Sequence, residues 1–371
     1  MNNTADGSGP PREAEADSPQ ARKKRAGKVL KRFMGNMLLV AISLGIALAL
    51  GEAVLRHRYA HMLYTPRTEV AVIQQYLTLN DAIGFTWLPD IDFGKHIVLG
   101  NSDVELDPLS TDEFGFWNHP EAIAARRSGH AIDVIGLGDS FMEHATFPFF
   151  EMFHEHNLSY YSMAIHRQCP PQYSTILNDY ALANKPKWVI LGLFENDFSE
   201  TTDYDDWRRT DLDWFTYHSG TWCGPSLGVD KKERFAKVYL KGWYAFYRVL
   251  YAKVRGERMS IGGPTPYEMS RVHECVLQAV LTARNHGARL VIVLIPSKAT
   301  TLDGLTKEAE GYDELMLNLK EYAIPTVDLR PIFRSHPNPS SLYYEKDSHW
   351  NREGIRIAGA EILKKMEVQT P

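Results

Sequence analysis

Cysteine is scarce in this chain: three residues among 371, at positions 169, 223 and 275. No two of them have the close spacing of a zinc or redox motif, which argues against a metal site built on thiolates. In an oxidising compartment two of the three could pair, and the sequence does not choose which. An excess of positive charge is also missing. Lys and Arg number 41 against 46 Asp and Glu, a formal net charge of −5 with pI near 6.3, so there is no electrostatic footprint for nucleic acid. No internal repeat is present, and no motif calls for a cofactor. What remains is a chain 44% hydrophobic and 23% charged, in the range of globular proteins and long enough for one large domain or two small ones.

Charge of either sign is absent from Phe33 to Gly51, nineteen residues that as a helix span about 28 Å, close to the hydrocarbon thickness of a bilayer. Seven basic residues and no acidic one lie between Arg22 and Arg32 just before it. A cleaved signal peptide is the alternative, because Ala-Leu-Ala-Leu-Gly at its end is rich in small residues. The long preceding tail and the apolar length favour an uncleaved anchor. The basic flank then puts the amino terminus in the cytoplasm and everything after the anchor outside it, in the periplasm of a Gram-negative bacterium. Residues 1–32 read as a disordered basic tail, 33–56 as the transmembrane helix and 57–130 as a membrane-proximal extension with short strands and turns near Ile83–Pro89 and Phe114–Trp117.

From residue 131 the pattern changes. Apolar runs at 132–138, 158–164, 187–194, 289–295 and 325–329 are mostly continuous, as expected of strands buried on both faces. Helical patterns at 141–154, 171–184, 266–286, 308–322 and 353–366 alternate with them. Such alternation predicts an α/β fold with a doubly wound parallel sheet of about five strands, formed by 131–199 and 265–366. The interruption at 200–264 holds four of the eight tryptophans and reads as an inserted, partly helical cap. Its stretch 231–255 mixes basic with aromatic residues, which suits either a helix lying in a membrane interface or one packed on the core.

The chemistry-bearing residues stand at strand ends. Ser140 follows the first strand in Gly138-Asp139-Ser140, where a sharp strand-to-helix turn opens onto the ligand crevice of a parallel sheet. Alone the triplet is weak, since Gly-Asp-Ser turns up by chance in about one chain in ten of this length. Its company matters more. Asn196, in Glu195-Asn196-Asp197 after the third strand, can aim an amide N–H into the same crevice. Asp347-Ser348-His349, before the last helix, offers a base and a carboxylate to orient it. A serine nucleophile needs these partners, and all three blocks converge on one sheet edge.

On these blocks the chain resembles the SGNH, or GDSL-type, hydrolase superfamily, and within it a membrane-anchored bacterial branch similar to the alginate O-acetylation proteins. The resemblance covers 131–199 and 265–366. It implies a flavodoxin-like sheet, Ser140 as nucleophile, His349 and Asp347 as the rest of the triad, and an oxyanion hole formed by Ser140, Asn196 and the residue after the second strand. Family members usually have glycine at that last position; here Ala164, in Tyr161-Ser162-Met163-Ala164-Ile165-His166, is the best match. His144 replaces another frequent glycine, with a place in the pocket or on the surface left open.

The implied activity is hydrolysis of an acyl ester of an extracytoplasmic glycan or lipid-linked substrate through an acyl-enzyme. O-acetyl transfer to an exopolysaccharide, fed by a membrane-bound acyltransferase partner, is the second reading. A non-catalytic binding or assembly component on the same scaffold is the third.

Overall fold

The computed structural model describes residues 19–58, 76–92, 109–217, 264–304, 307–344 and 349–367, together with Trp243 and Phe246. The expected tail before residue 19, most of the inserted cap, Cys223 and Asp347 lie outside the described residues. The chain divides into two compact units, Met1–Tyr64 with Ala236–Arg248 and Thr65–Phe235 with Val249–Pro371.

The first unit is dominated by helix α1, Pro19–Arg58. Its stretch Lys31–Leu55 has a mean hydropathy of 2.3 and is long and apolar enough to cross a membrane. The helix begins inside the stretch expected to be a disordered tail. Pro19 suits the first helical position, and the Ala, Lys and Arg residues that follow are good helix formers, so the apolar helix extends backwards through them. Towards its other end Glu52 is buried and accepts the Trp243 backbone N–H at 3.0 Å, while the indole Nε1–H donates to the Leu48 carbonyl at 3.0 Å. Gly51 makes room for that indole, since a Cβ there would lie 3.2 Å from Cε2 of the ring.

The second unit starts with two small antiparallel pairs. Strand β1, Leu77–Asn80, pairs with β2, Gly84–Trp87, in the register Leu77↔Trp87; β3, Ser110–Thr111, pairs with β4, Trp117–Asn118. Helix α2, Pro120–Arg127, follows with proline in its first turn. This extension is built into the α/β core. Phe85, Trp87, Phe116 and Trp117 share one buried cluster with Ile135, Tyr161, Tyr173 and Leu191.

The main sheet comprises β5, Val134–Leu137; β6, Tyr160–Ser162; β7, Trp188–Phe194; β8, Arg289–Ile295; and β9, Thr326–Asp328. All pairings are parallel and the order is β6-β5-β7-β8-β9, the 2-1-3-4-5 order of a flavodoxin-like sheet. Alternation along the strands serves two cores. Ile135, Leu137, Leu191, Ile292 and Leu294 face one; Val134, Ile190, Val291 and Val293 face the other, against Phe149, Ile355 and Ile362.

Helical boundaries differ from the sequence reading for local reasons. The expected helix 141–154 is two, α3, Ser140–His144, and α4, Thr146–Glu155. Pro148 lacks the N–H that would bond the His144 carbonyl and so breaks a continuous ladder. The segment expected as 171–184 is α5, Pro170–Ile176, followed by a π turn, Leu177–Ala181, and a 3-10 turn, Leu182–Asn184. Helices α6, Asp197–Trp207, and α7, Trp214–Tyr217, open the insertion; α8, Pro266–Asn285, returns the chain to the sheet. After β8 come α9, Lys298–Asp303, and α10, Lys307–Glu321. Strand β9 stops at Asp328 because its carboxylate caps α11, Leu329–Arg334, by accepting the Arg330 N–H at 3.0 Å. Helix α12, Arg352–Glu367, ends the described chain.

Candidate active site

At the carboxyl end of β5 the backbone turns sharply through Gly138, whose φ is +152°; a Cβ there would lie 2.8 Å from Met142 Cβ and 3.0 Å from the Gly192 carbonyl oxygen. Only glycine allows this approach of strand and helix. Asp139 then caps α3 by accepting the Phe141 N–H at 3.0 Å, which places Ser140 at the first helical position and leaves it partly exposed.

Ser140 Oγ lies 2.7 Å from His349 Nε2, across 209 residues of sequence. The loop that carries His349 is fastened on both sides. Tyr343 and Trp350 form a β-bridge, and the buried Trp350 indole donates to the Phe141 carbonyl at 2.8 Å, tying the loop directly to α3. Asn351 Oδ1 accepts the Glu353 and Gly354 N–H groups and starts α12. Rings close in on the imidazole: Phe141 at 4.8 Å between centroids, tilted, and His144 at 4.4 Å with the two planes 5° apart. His144 is therefore a neighbour of His349.

The remaining residues singled out in the sequence fall as follows. Asn196 ends the β7 turn as the N-cap of α6, partly exposed, with its amide engaging the Glu200 carboxyl and its Oδ1 lacking a hydrogen-bond partner among the described residues. Ala164 is buried beyond β6, and its N–H points to Ser162 Oγ at 3.4 Å, a distance at which a hydrogen bond is weak. Asp347 lies outside the described residues. Of the cysteines, Cys169 and Cys275 are buried free thiols, so the pairing the sequence left open does not join these two.

Several neighbours of the serine gave little or no signal in the sequence. Glu143, three residues after Ser140, is buried and accepts the Trp87 indole N–H at 2.6 Å from the extension; its other oxygen lies 3.0 Å from His166 Nδ1. Its i+3 spacing from Ser140 was the available clue; nothing marked Trp87, which reads as an ordinary core residue. Acidic side chains cluster around Asp139. Burial raises the Asp139 carboxyl to about 7, with the nearby Glu143 adding to the effect, and Asp197 is held well above the usual carboxylate range by burial and by Asp139. Burial also raises Glu200 to about 8, against the pull of Arg167. Asp139 and Glu200 each leave one oxygen without a hydrogen-bond partner among the described residues, and burial outweighs the contacts that favour their charged forms.

A half-exposed serine at the first strand end is thus bonded to a histidine carried in before the last helix of a 2-1-3-4-5 parallel sheet. Residues 269–371 match the family model described as SGNH hydrolase-like domain, acetyltransferase AlgX, the superfamily to which the sequence blocks point. That match takes in Asp347 and His349 and lies beyond Ser140 and Asn196. Similar solved structures include a GDSL-like lipase from Bacteroides thetaiotaomicron, 11% identical, covering 67% of this chain and 98% of its own with TM-score 0.40. Others are a lipase/acylhydrolase from Enterococcus faecalis, at 9% identity, 64% and 97% coverage and TM-score 0.40, and an acetylxylan esterase from Geobacillus stearothermophilus, at 11%, 63% and 94%, and 0.37. No curated protein matches the chain.

Proposed function

We propose that this chain is a membrane-anchored serine acyl-ester hydrolase, acting through an acyl-enzyme on O-acetyl or other acyl esters of an extracytoplasmic glycan or lipid-linked substrate. The observation that carries this reading is the 2.7 Å contact between Ser140 Oγ and His349 Nε2 at the mouth of the sheet. His349 Nε2 takes the serine proton as Oγ bonds to the ester carbonyl carbon, and Asp347 holds the other ring nitrogen. The carbonyl oxygen, now negative, is received by the backbone N–H groups of Ser140 and Ala164 and by the Asn196 amide. As the C–O bond to the alcohol breaks, His349 returns the proton to the departing oxygen. Water then repeats the sequence on the acyl-enzyme and releases the acid.

A second reading is favoured by one observation, the matched family's description as an acetyltransferase. In it a sugar hydroxyl replaces water, and a membrane-bound partner supplies the acyl group. Helix α1 is the anchor in either reading, with the basic run 22–32 on the cytoplasmic side.

The test uses the full chain in detergent, with an aryl acetate and with a fluorophosphonate. Turnover and labelling that vanish in Ser140→Ala and fall at least about a thousandfold in His349→Ala are expected. Release of the aryl alcohol that requires an added oligosaccharide, with the acetyl group recovered on that oligosaccharide and not as free acetate, selects transfer over hydrolysis. Full-length protein that neither labels nor turns over, with or without acceptor, overturns both readings and leaves a binding scaffold.

A further inference from the structure

His144 closes α3 one helical turn after Ser140, and residues four apart lie on the same helix face. Its ring therefore rises beside the serine and meets the His349 ring face to face, with centroids 4.4 Å apart and planes only 5° from parallel. Phe141, from the same helix, takes up another side of the His349 ring, and Tyr344 meets His144 edge on at 6.5 Å. The imidazole opposite Ser140 is thus walled by two residues of the serine's own helix. Each of these side chains is spaced from Ser140 so that a single rigid turn carries nucleophile and wall together.

An imidazole near neutral pH has two charge states, and a stacked partner distinguishes them. A neutral ring 4.4 Å from an imidazolium attracts it through its π face; two imidazoliums at that distance repel. Other ionisable groups flank the pair, and Asp347, in the role proposed for it above, favours the His349 imidazolium. Glu143, on the same helix, is turned to Trp87 and His166; Tyr344 comes from the loop before α12; Lys298 of α9 donates its Nζ to the Tyr344 carbonyl at 2.9 Å.

We propose that His144 is a positioning residue of this site: its ring clamps the His349 imidazole in line with Ser140 and, while neutral, stabilises the imidazolium that forms when the serine proton is taken. This rests on the reading of Ser140 and His349 as nucleophile and base. His144 itself exchanges no proton with substrate; the proton passes only between Ser140 Oγ, His349 Nε2 and the departing oxygen. A charge on His144 opposes the charge His349 must acquire.

The experiment compares wild type, His144→Phe and His144→Ala as full chains in detergent. Phenylalanine keeps the face and removes the titration; alanine removes both. For the aryl acetate, His144→Ala lowers kcat about tenfold with KM within about twofold, and His144→Phe recovers most of the loss. The acid limb of log kcat against pH steepens towards two protons in wild type and stays at one in His144→Phe. Equal kcat and equal limbs in all three proteins, or a phenylalanine variant no better than the alanine one, overturns the proposal. Should the wild type show no turnover, the hydrolase reading fails by itself, and the stack is read by NMR titration of the His349 ring. Two separated steps in wild type against one in His144→Phe support the clamp; one step in both overturns it.

Discussion

At the scale of single residues, the buried acids around Asp139 make a pH-dependent contribution with a definite sign. Asp139, raised to about 7, binds its proton more tightly folded than unfolded, so its contribution to stability is complete below about pH 4 and is lost as pH rises through 7. Glu200, raised to about 8, and Asp203, raised to about 6, act in the same direction. Urea unfolding of the wild type therefore shows stability falling between about pH 4 and 8. Asp139→Asn keeps an oxygen to accept the Phe141 N–H and no longer titrates, so relative to wild type it gains on the order of 2 kcal/mol between pH 5 and pH 8. A pH-independent difference between the two proteins contradicts the assignment. Asn196→Ala, tested at fixed pH on the aryl acetate, lowers kcat by about 10² to 10³ with KM little changed if its amide receives the oxyanion. The serine and the histidine that the structure brings together stood in short motifs at element ends, which report position as well as identity. Glu143 and Trp87 were not legible, since a carboxylate inside a helix and a tryptophan in a hairpin have common bland roles, and only their mutual 2.6 Å contact distinguishes them.

Among the elements, the extension before residue 130 is what sequence reasoning described least well. Its strands are two to four residues long, too short for periodicity to register, and its packing depends on long-range partners. In the structure it covers the edge of the main sheet. Asn118 pairs its side chain with both the N–H and the carbonyl of Ser162, at 2.7 and 2.8 Å, and so occupies the open side of edge strand β6. Tyr161 donates to Asp112 at 2.6 Å, and Gln172 donates to the Ile83 carbonyl at 2.8 Å. Asn118→Ala leaves two buried backbone groups of Ser162 unpaired and destabilises the fold by about 2 to 4 kcal/mol, measured as a lowered urea midpoint with unchanged slope. An unchanged midpoint means the extension is dispensable to the sheet. The five main strands were legible because their apolar runs are long and continuous; a strand end moved where a cap such as Asp328 overrides the pattern, and an expected helix split where Pro148 breaks its ladder.

At the scale of the whole molecule, the uncharged stretch from Phe33 to Gly51 lies in one helix long and apolar enough to cross a membrane among the described residues, and the main sheet lies in the other compact unit. If α1 is an uncleaved anchor, protein extracted from membranes has the intact mass of the full chain and resists alkaline carbonate. A mass lacking the apolar stretch identifies a signal peptide instead. In a Cys223→Ser background, a cysteine placed at Ser18 is expected to react with a membrane-impermeant maleimide only after the membrane is opened; labelling in intact cells reverses the topology.

The claim that joins these scales is that Ser140, presented by the Gly138 turn and bonded to His349, is the residue that receives the acyl group. Peptide mass mapping of the full chain after reaction with a fluorophosphonate tests it most directly. A single adduct on the peptide containing Ser140, lost in His349→Ala, is the predicted result; no adduct, or an adduct on another residue while Ser140 stays unmodified, contradicts it.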